Sequence, residues 1–149
     1  MPEFKQINAK DLPIALLLEA DPSEKCIHKY LEKALCFAAY DQGKLAGVCV
    51  TNSESSDVSE IFNIAVWPEL QGRGIGTSLL RYVLEQLSDR GFKKVELGTG
   101  TFGYQLTYYQ RFGFRVEGVR KNFFTDNYEQ PIYEHGLQHI DMLRLFLDL

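Results

Sequence analysis

The 149-residue sequence predicts one α/β domain built on a mixed sheet, residues 1–149. Two stretches carry that prediction. Residues 35–40 and 45–51 are strand-like apolar runs joined by Asp41-Gln42-Gly43-Lys44, the pattern of an antiparallel hairpin. Residues 59–98 read as strand, glycine-rich turn, helix and strand, a β-α-β unit whose two strands lie parallel through a right-handed crossover. A sheet that contains both pairings is mixed.

Each element has a local reason. Phe4 to Ile7 form a short first strand, and Asp11-Leu12-Pro13 offers an N-cap with proline in the first turn of a helix through Leu18. Asp21-Pro22-Ser23 restarts the chain, and a second helix follows from Ser23, with Glu24 in its first turn and Cys26, Ile27, Tyr30 and Leu31 on an apolar stripe. After the hairpin, Asn52 to Asp57 is a polar loop, and the strand from Ser59 to Val66 stops at Trp67-Pro68 because proline cannot extend a ladder. Ile75, Leu79, Leu80, Val83, Leu84 and Leu87 line one face of the next helix, and Gly91 ends it. Lys93 to Gly98 is a strand, about 102 to 112 a shorter helix, and Phe114 to about Val119 another strand. A polar and aromatic loop over Lys121 to Pro131 precedes a final strand over Leu137 to Leu147.

Composition narrows the function. With 45% hydrophobic and 24% charged residues the chain is an ordinary globular protein, and a net charge of −4 with pI near 5.4 argues against nucleic acid and toward a cationic partner. Cys26, Cys36 and Cys49 are odd in number and far apart, which suits reduced thiols in a cytoplasm. The N-terminus has no apolar targeting core and no apolar run is long enough to span a membrane, so neither secretion nor membrane insertion is expected. His135 and His139 lack a cysteine or third histidine nearby, so no metal is expected.

The chemistry sits at Gln71-Gly72-Arg73-Gly74-Ile75-Gly76, between an apolar strand and a long helix. Glycines let backbone approach a ligand, and a helix start presents unbonded N–H groups and the positive end of its dipole to an anion. No lysine follows the last glycine, which excludes a Walker loop, and Thr77 stands where a dinucleotide fingerprint from Gly72 requires glycine. A tight strand-to-helix turn explains bare glycines equally well.

The longer block from Asn63 to Gly76 resembles the acetyl-CoA signature of the GNAT N-acetyltransferase superfamily, a strand followed by Q/R-x-x-G-x-G/A. Tyr109-Gln110-Arg111-Phe112-Gly113-Phe114 is similar to that family's Y-x-x-x-G-F segment, at the expected distance. The resemblance implies the acyl-CoA N-acyltransferase fold: a mixed, mostly antiparallel sheet with a splayed parallel pair and flanking helices. It implies acetyl-CoA as cosubstrate, with backbone N–H groups of Gln71, Gly72, Arg73, Gly74, Ile75, Gly76 and Thr77 on the pyrophosphate. The pantetheine arm would lie along residues 60–66 and pair with backbone of Ile64, Ala65 and Val66, one N–H polarising the thioester carbonyl. Arg73 either meets a phosphate or stands solvated at the helix start. Where the family often has an asparagine, this chain has Thr99-Gly100-Thr101-Phe102, with Thr101 the substitute contact.

Acyl transfer to an amine calls for a base and an acid. Tyr109 matches the family's tyrosine acid, although its spacing with Phe102 and Leu106 also suits plain packing. Glu60 matches a base used by some members; strand alternation puts it on the side of Phe62, Ile64 and Val66, about 13 Å along the strand from Ile64, so a water relay is expected. A solvated strand-end carboxylate is the plain alternative. In the family the acceptor side is formed by about residues 11–34 and 121–135, which here carry Glu19, Asp21, Glu24, Glu32, Asp126, Glu129 and Glu134. The expected acceptor is therefore a small cationic amine, acetylated by direct transfer by a cytoplasmic monomer or homodimer. A protein or peptide acceptor, or a CoA-binding regulatory module without turnover, are the alternatives.

Overall fold

The computed structural model describes residues 2–149, which divide into two compact units: residues up to Lys93 with Leu149, and Lys94–Asp148. In the first unit, β1 (Glu3–Ile7) pairs with β2 (Leu35–Asp41), β2 with β3 (Lys44–Ser53) and β3 with β4 (Val58–Val66), all antiparallel. The expected hairpin forms through Gln42 (φ 51°) and Gly43 (φ 78°), the paired positive φ angles that match the twist of the two strands.

The first helix is shorter than expected. Leu12 is extended, as a residue before proline must be, so a single 3₁₀ turn over Ala9–Asp11 precedes α1 (Ile14–Leu17). Glu19 and Ala20 then donate to Leu16 and Leu17 in three-residue turns, not a continued α-helix. α2 (Glu24–Leu31) starts where predicted, with the Ser23 hydroxyl accepting from the Cys26 N–H at 3.1 Å. Leu12, Leu16, Leu17 and Ile27 pack with Cys36, Ala38, Val48, Val50 and Ala65 on one face of these strands. Leu79, Leu80, Val83 and Leu87 of α3 (Ile75–Asp89) are fully buried, with Leu79 close above Gly47 of β3. Gly91 (φ 93°) closes α3, with Phe92 N–H bonding Leu87 C=O at 3.1 Å and Gly91 N–H bonding Ser88 C=O at 3.0 Å.

One register detail overturns an expectation. Val50 pairs with Asn63 but Thr51 pairs with Ile61, so β4 bulges at Phe62. Cross-strand partners share a face; Asn63 and Ala65 therefore lie with Val50 and Val48 toward α1 and α2, Ile64 lies with Cys49, and Glu60 with Asn52. The bulge shifts the alternation by one, so Glu60 is not on the side of Ile64 and Val66. Asn52 accordingly reaches the Glu32 carbonyl at the end of α2 (3.2 Å).

In the second unit β9 (Met142–Asp148) is central, antiparallel to β5 (Lys94–Gly100) and β6 (Arg115–Arg120). α4 (Tyr104–Phe112) lies between β5 and β6 in sequence and ends at Gly113 (φ 112°), the glycine of the second motif. Two expectations need correction here. The segment 121–131 is not all loop, since α5 (Phe123–Asn127) forms from its aromatic residues. The last strand starts at Met142, not Leu137, because His135 (φ 53°) and Gly136 (φ 75°) turn the chain into the small hairpin β7 (Tyr133–Glu134) and β8 (Leu137–Gln138) first. No helix among the described residues is long and apolar enough to cross a membrane.

Candidate active site

In the first unit, the end of β4 and the start of α3 come together around the glycine turn. Gln71 reaches back from the loop and donates its side-chain amide to the Val66 carbonyl at 3.0 Å, tying the start of the loop to the end of β4. Gly72 (φ 79°) and Gly74 (φ 80°) are both left-handed, and nothing lies within 4 Å of where a side chain would stand on either. Gly74 is the N-cap of α3 and offers no side-chain cap; the first helical bond runs from Ser78 N–H to Gly74 C=O at 3.0 Å. The amides of Ile75 and Gly76 precede that bond, and Arg73 is exposed beside them. Open surface, positive-φ glycines and an uncapped fifteen-residue helix suit a pyrophosphate. Ala65 is 5% exposed and its methyl belongs to the core, so only its backbone can meet a ligand.

Glu60 is 8% exposed, so it is no solvated strand end. Its face of β4 carries a second polar residue that the sequence reading did not single out. Asn63, 3% exposed, donates its amide to the Leu17 carbonyl at 3.0 Å and to the Tyr30 hydroxyl at 2.9 Å. The Tyr30 hydroxyl in turn donates to Asp21 Oδ2 at 3.0 Å, and Asp21 Oδ1 accepts from the Ser23 N–H at 3.1 Å. Burial, with a smaller contribution from the Asp21 charge, holds the Tyr30 phenol protonated well above its ordinary range, so it stays a donor. This chain of bonds fastens the α1–α2 connection to the bulged part of β4. Its sequence signal was an asparagine inside an otherwise apolar strand.

The second unit holds Thr101 and Tyr109. Thr101 is exposed, two residues before the Gly103 N-cap of α4. Tyr109 is 7% exposed; its ring meets Tyr108 edge-on at 5.3 Å and Phe114 at 5.7 Å, and its carbonyl accepts from Phe114 N–H at 3.0 Å. Gly113 thus ends the helix and turns Phe114 under Tyr109, which gives the second motif a structural purpose. His139, dismissed as a metal ligand, bonds Glu134 through Nε2 at 2.9 Å and stacks on Phe102 with centroids 4.2 Å apart.

Comparison with known proteins follows the same line. A model of the acetyltransferase (GNAT) family matches residues 2–114. The N-acetyltransferase YvbK of Bacillus subtilis (strain 168), itself uncharacterised, is 41% identical over 135 residues, which covers 90% of this chain and 87% of that protein. The ribosomal protein bS18 alanine N-acetyltransferase of Escherichia coli (strain K12) is 30% identical over 141 residues, covering 89% of this chain and 95% of that one. The crystal structure of a GNAT family acetyltransferase from Elizabethkingia anophelis with acetyl-CoA bound superposes with a TM-score of 0.94 at 37% identity, covering 99% of this chain and 98% of its own.

Proposed function

The chain belongs to the GNAT acetyltransferase family, and from that premise we propose that it acetylates a small cationic primary amine by direct transfer from acetyl-CoA, within one domain spanning residues 1–149. It is an acetyl-CoA-dependent N-acetyltransferase with the family's fold, a mixed sheet with one parallel pair and flanking helices. The observation that carries the choice of acceptor is the pair of carboxylates Glu60 and Asp21, both more than nine-tenths buried in the first unit, where a desolvated negative charge favours a cationic ligand. The reduced thiols and the cosubstrate suit a cytoplasmic enzyme.

Acetyl-CoA supplies a thioester carbonyl, and the acceptor's primary amine attacks its carbon as the carbon–sulfur bond breaks. The ammonium loses one proton before attack and a second as the amide forms. Glu60, through water, takes the first; the Tyr109 phenol donates one to the departing thiolate, so the products are the amide, the thiol and one released proton. Backbone amides of Gln71–Thr77 hold the pyrophosphate, Thr101 adds a contact, and an N–H of the stretch Ile64–Val66 polarises the carbonyl oxygen.

The test is thiol release with acetyl-CoA and a panel of cationic, neutral and anionic amines. Cationic amines should react best, and a panel in which only neutral or anionic acceptors react overturns the reading. Glu60→Gln should alter the pH–rate profile; an unchanged profile and unchanged kcat/KM remove Glu60 from the mechanism. A second reading, transfer to a protein N-terminus, is favoured by the 30% identity to the bS18 alanine enzyme, and peptides beginning with alanine belong in the same panel.

A further inference from the structure

The bulge in β4 turns out an aromatic ring. Phe62 is 38% exposed, yet one of its faces is covered: it stacks on Tyr30 with ring centroids 5.2 Å apart and planes 17° from parallel. Tyr30 is itself held at its hydroxyl by Asp21 and Asn63, so the ring behind Phe62 cannot swing away without breaking two hydrogen bonds. Phe62 is therefore a braced platform with an open face, flanked along the chain by Glu60 and Asn63. Beside it the side-chain oxygen Oδ1 of Asn63 is buried and accepts no hydrogen bond from the described residues. Aromatic face, carboxylates and amide oxygen are all electron-rich, and each favours a cation.

The amine that attacks the thioester has given up its proton and carries no charge at that moment. A cation held over Phe62 must then be a second, unreacting group of the same molecule. We propose that Phe62 is the docking platform for this second ammonium, which makes the acceptor a diamine, polyamine or multiply aminated sugar and not a simple monoamine. The inference rests on the cationic-acceptor reading and names its class.

The experiment compares putrescine with the amino alcohol of equal length, in which one amine is replaced by hydroxyl, in the unaltered enzyme and in Phe62→Leu and Phe62→Trp. The expected preference for the diamine in kcat/KM is about 4- to 60-fold: a statistical factor of about two for its two equivalent amines, times the roughly 2- to 30-fold of a cation over an aromatic face from exposed to desolvated. Phe62→Leu should bring the two substrates to within about twofold with the acetyl-CoA KM unchanged, and Phe62→Trp should restore the preference, which separates ring electrostatics from mere packing. A preference above about twofold that survives Phe62→Leu overturns the inference, as does an unaltered enzyme whose preference is about twofold or less; in either case the broader cationic reading stands. Failure of every cationic amine to react overturns that reading as well.

Discussion

Replacing Tyr30 with phenylalanine removes one oxygen and leaves the ring stacked on Phe62. That oxygen serves two bonds: it donates to Asp21 Oδ2 at 3.0 Å and accepts from Asn63 Nδ2 at 2.9 Å. A bond to a carboxylate contributes about 1.5–3 kcal/mol and a neutral one about 0.5–1.5, so the loss should be about 2–4 kcal/mol. Asn63 keeps the Leu17 carbonyl as a partner, which places the expected value in the lower half of that range. For a chain of this length about 2–4 °C of melting temperature accompanies each kcal/mol, so Tyr30→Phe should melt roughly 4–12 °C lower. Thermal and urea denaturation followed by circular dichroism give the number. A double-mutant cycle with Asn63→Ala isolates the amide-to-hydroxyl bond, expected at about 0.5–1.5 kcal/mol. A loss below about 0.5 kcal/mol would show that water serves these groups as well as the phenol does, and would refute the view that this network fastens the α1–α2 connection to β4.

Three further outcomes are expected. Burial pushes the Cys36 thiol from 9.0 up to about 11 and raises Cys49 as well, so the folded chain keeps protons that the unfolded chain has already lost. Stability is then full below about pH 9 and falls as pH climbs toward 11; a urea midpoint that stays flat across that window refutes it. Under native conditions a thiol reagent should label the half-buried Cys26 and leave the buried Cys36 and Cys49 untouched until denaturant is added; rapid native labelling of all three would contradict the core assigned to β2 and β3. Gly74→Ala adds a methyl in open space at φ 80°, so its cost is backbone strain of about 1–2 kcal/mol, and it should raise the KM for acetyl-CoA while leaving that for the amine unchanged; an unaltered acetyl-CoA KM removes the glycine turn from the pyrophosphate site.

Several features of this chain were legible in its residues alone. The Gln42-Gly43 hairpin, the Ser23 cap, the apolar face of α3 and the Gly91 stop are written in short-range patterns, because each depends on bonds between residues a few positions apart. The glycine turn and the Tyr109 segment were readable for the same reason, as local motifs with their own geometry. What only the tertiary structure decided depends on partners distant in sequence. The bulge at Phe62 arises from pairing with β3, and it reversed the side on which Glu60 was expected. The Asp21–Tyr30–Asn63 chain joins residues up to 42 positions apart, 63 less 21, and no periodicity announces it. The false start of the last strand at Leu137 has the same origin: its apolar residues suit a strand, but the His135-Gly136 turn pairs them first with Tyr133 and Glu134. Local sequence thus specified the elements and the glycine turn, while the register of one strand decided which side chains stand on the face of β4 toward α1 and α2, because a shift of one residue turns every side chain beyond it to the opposite face.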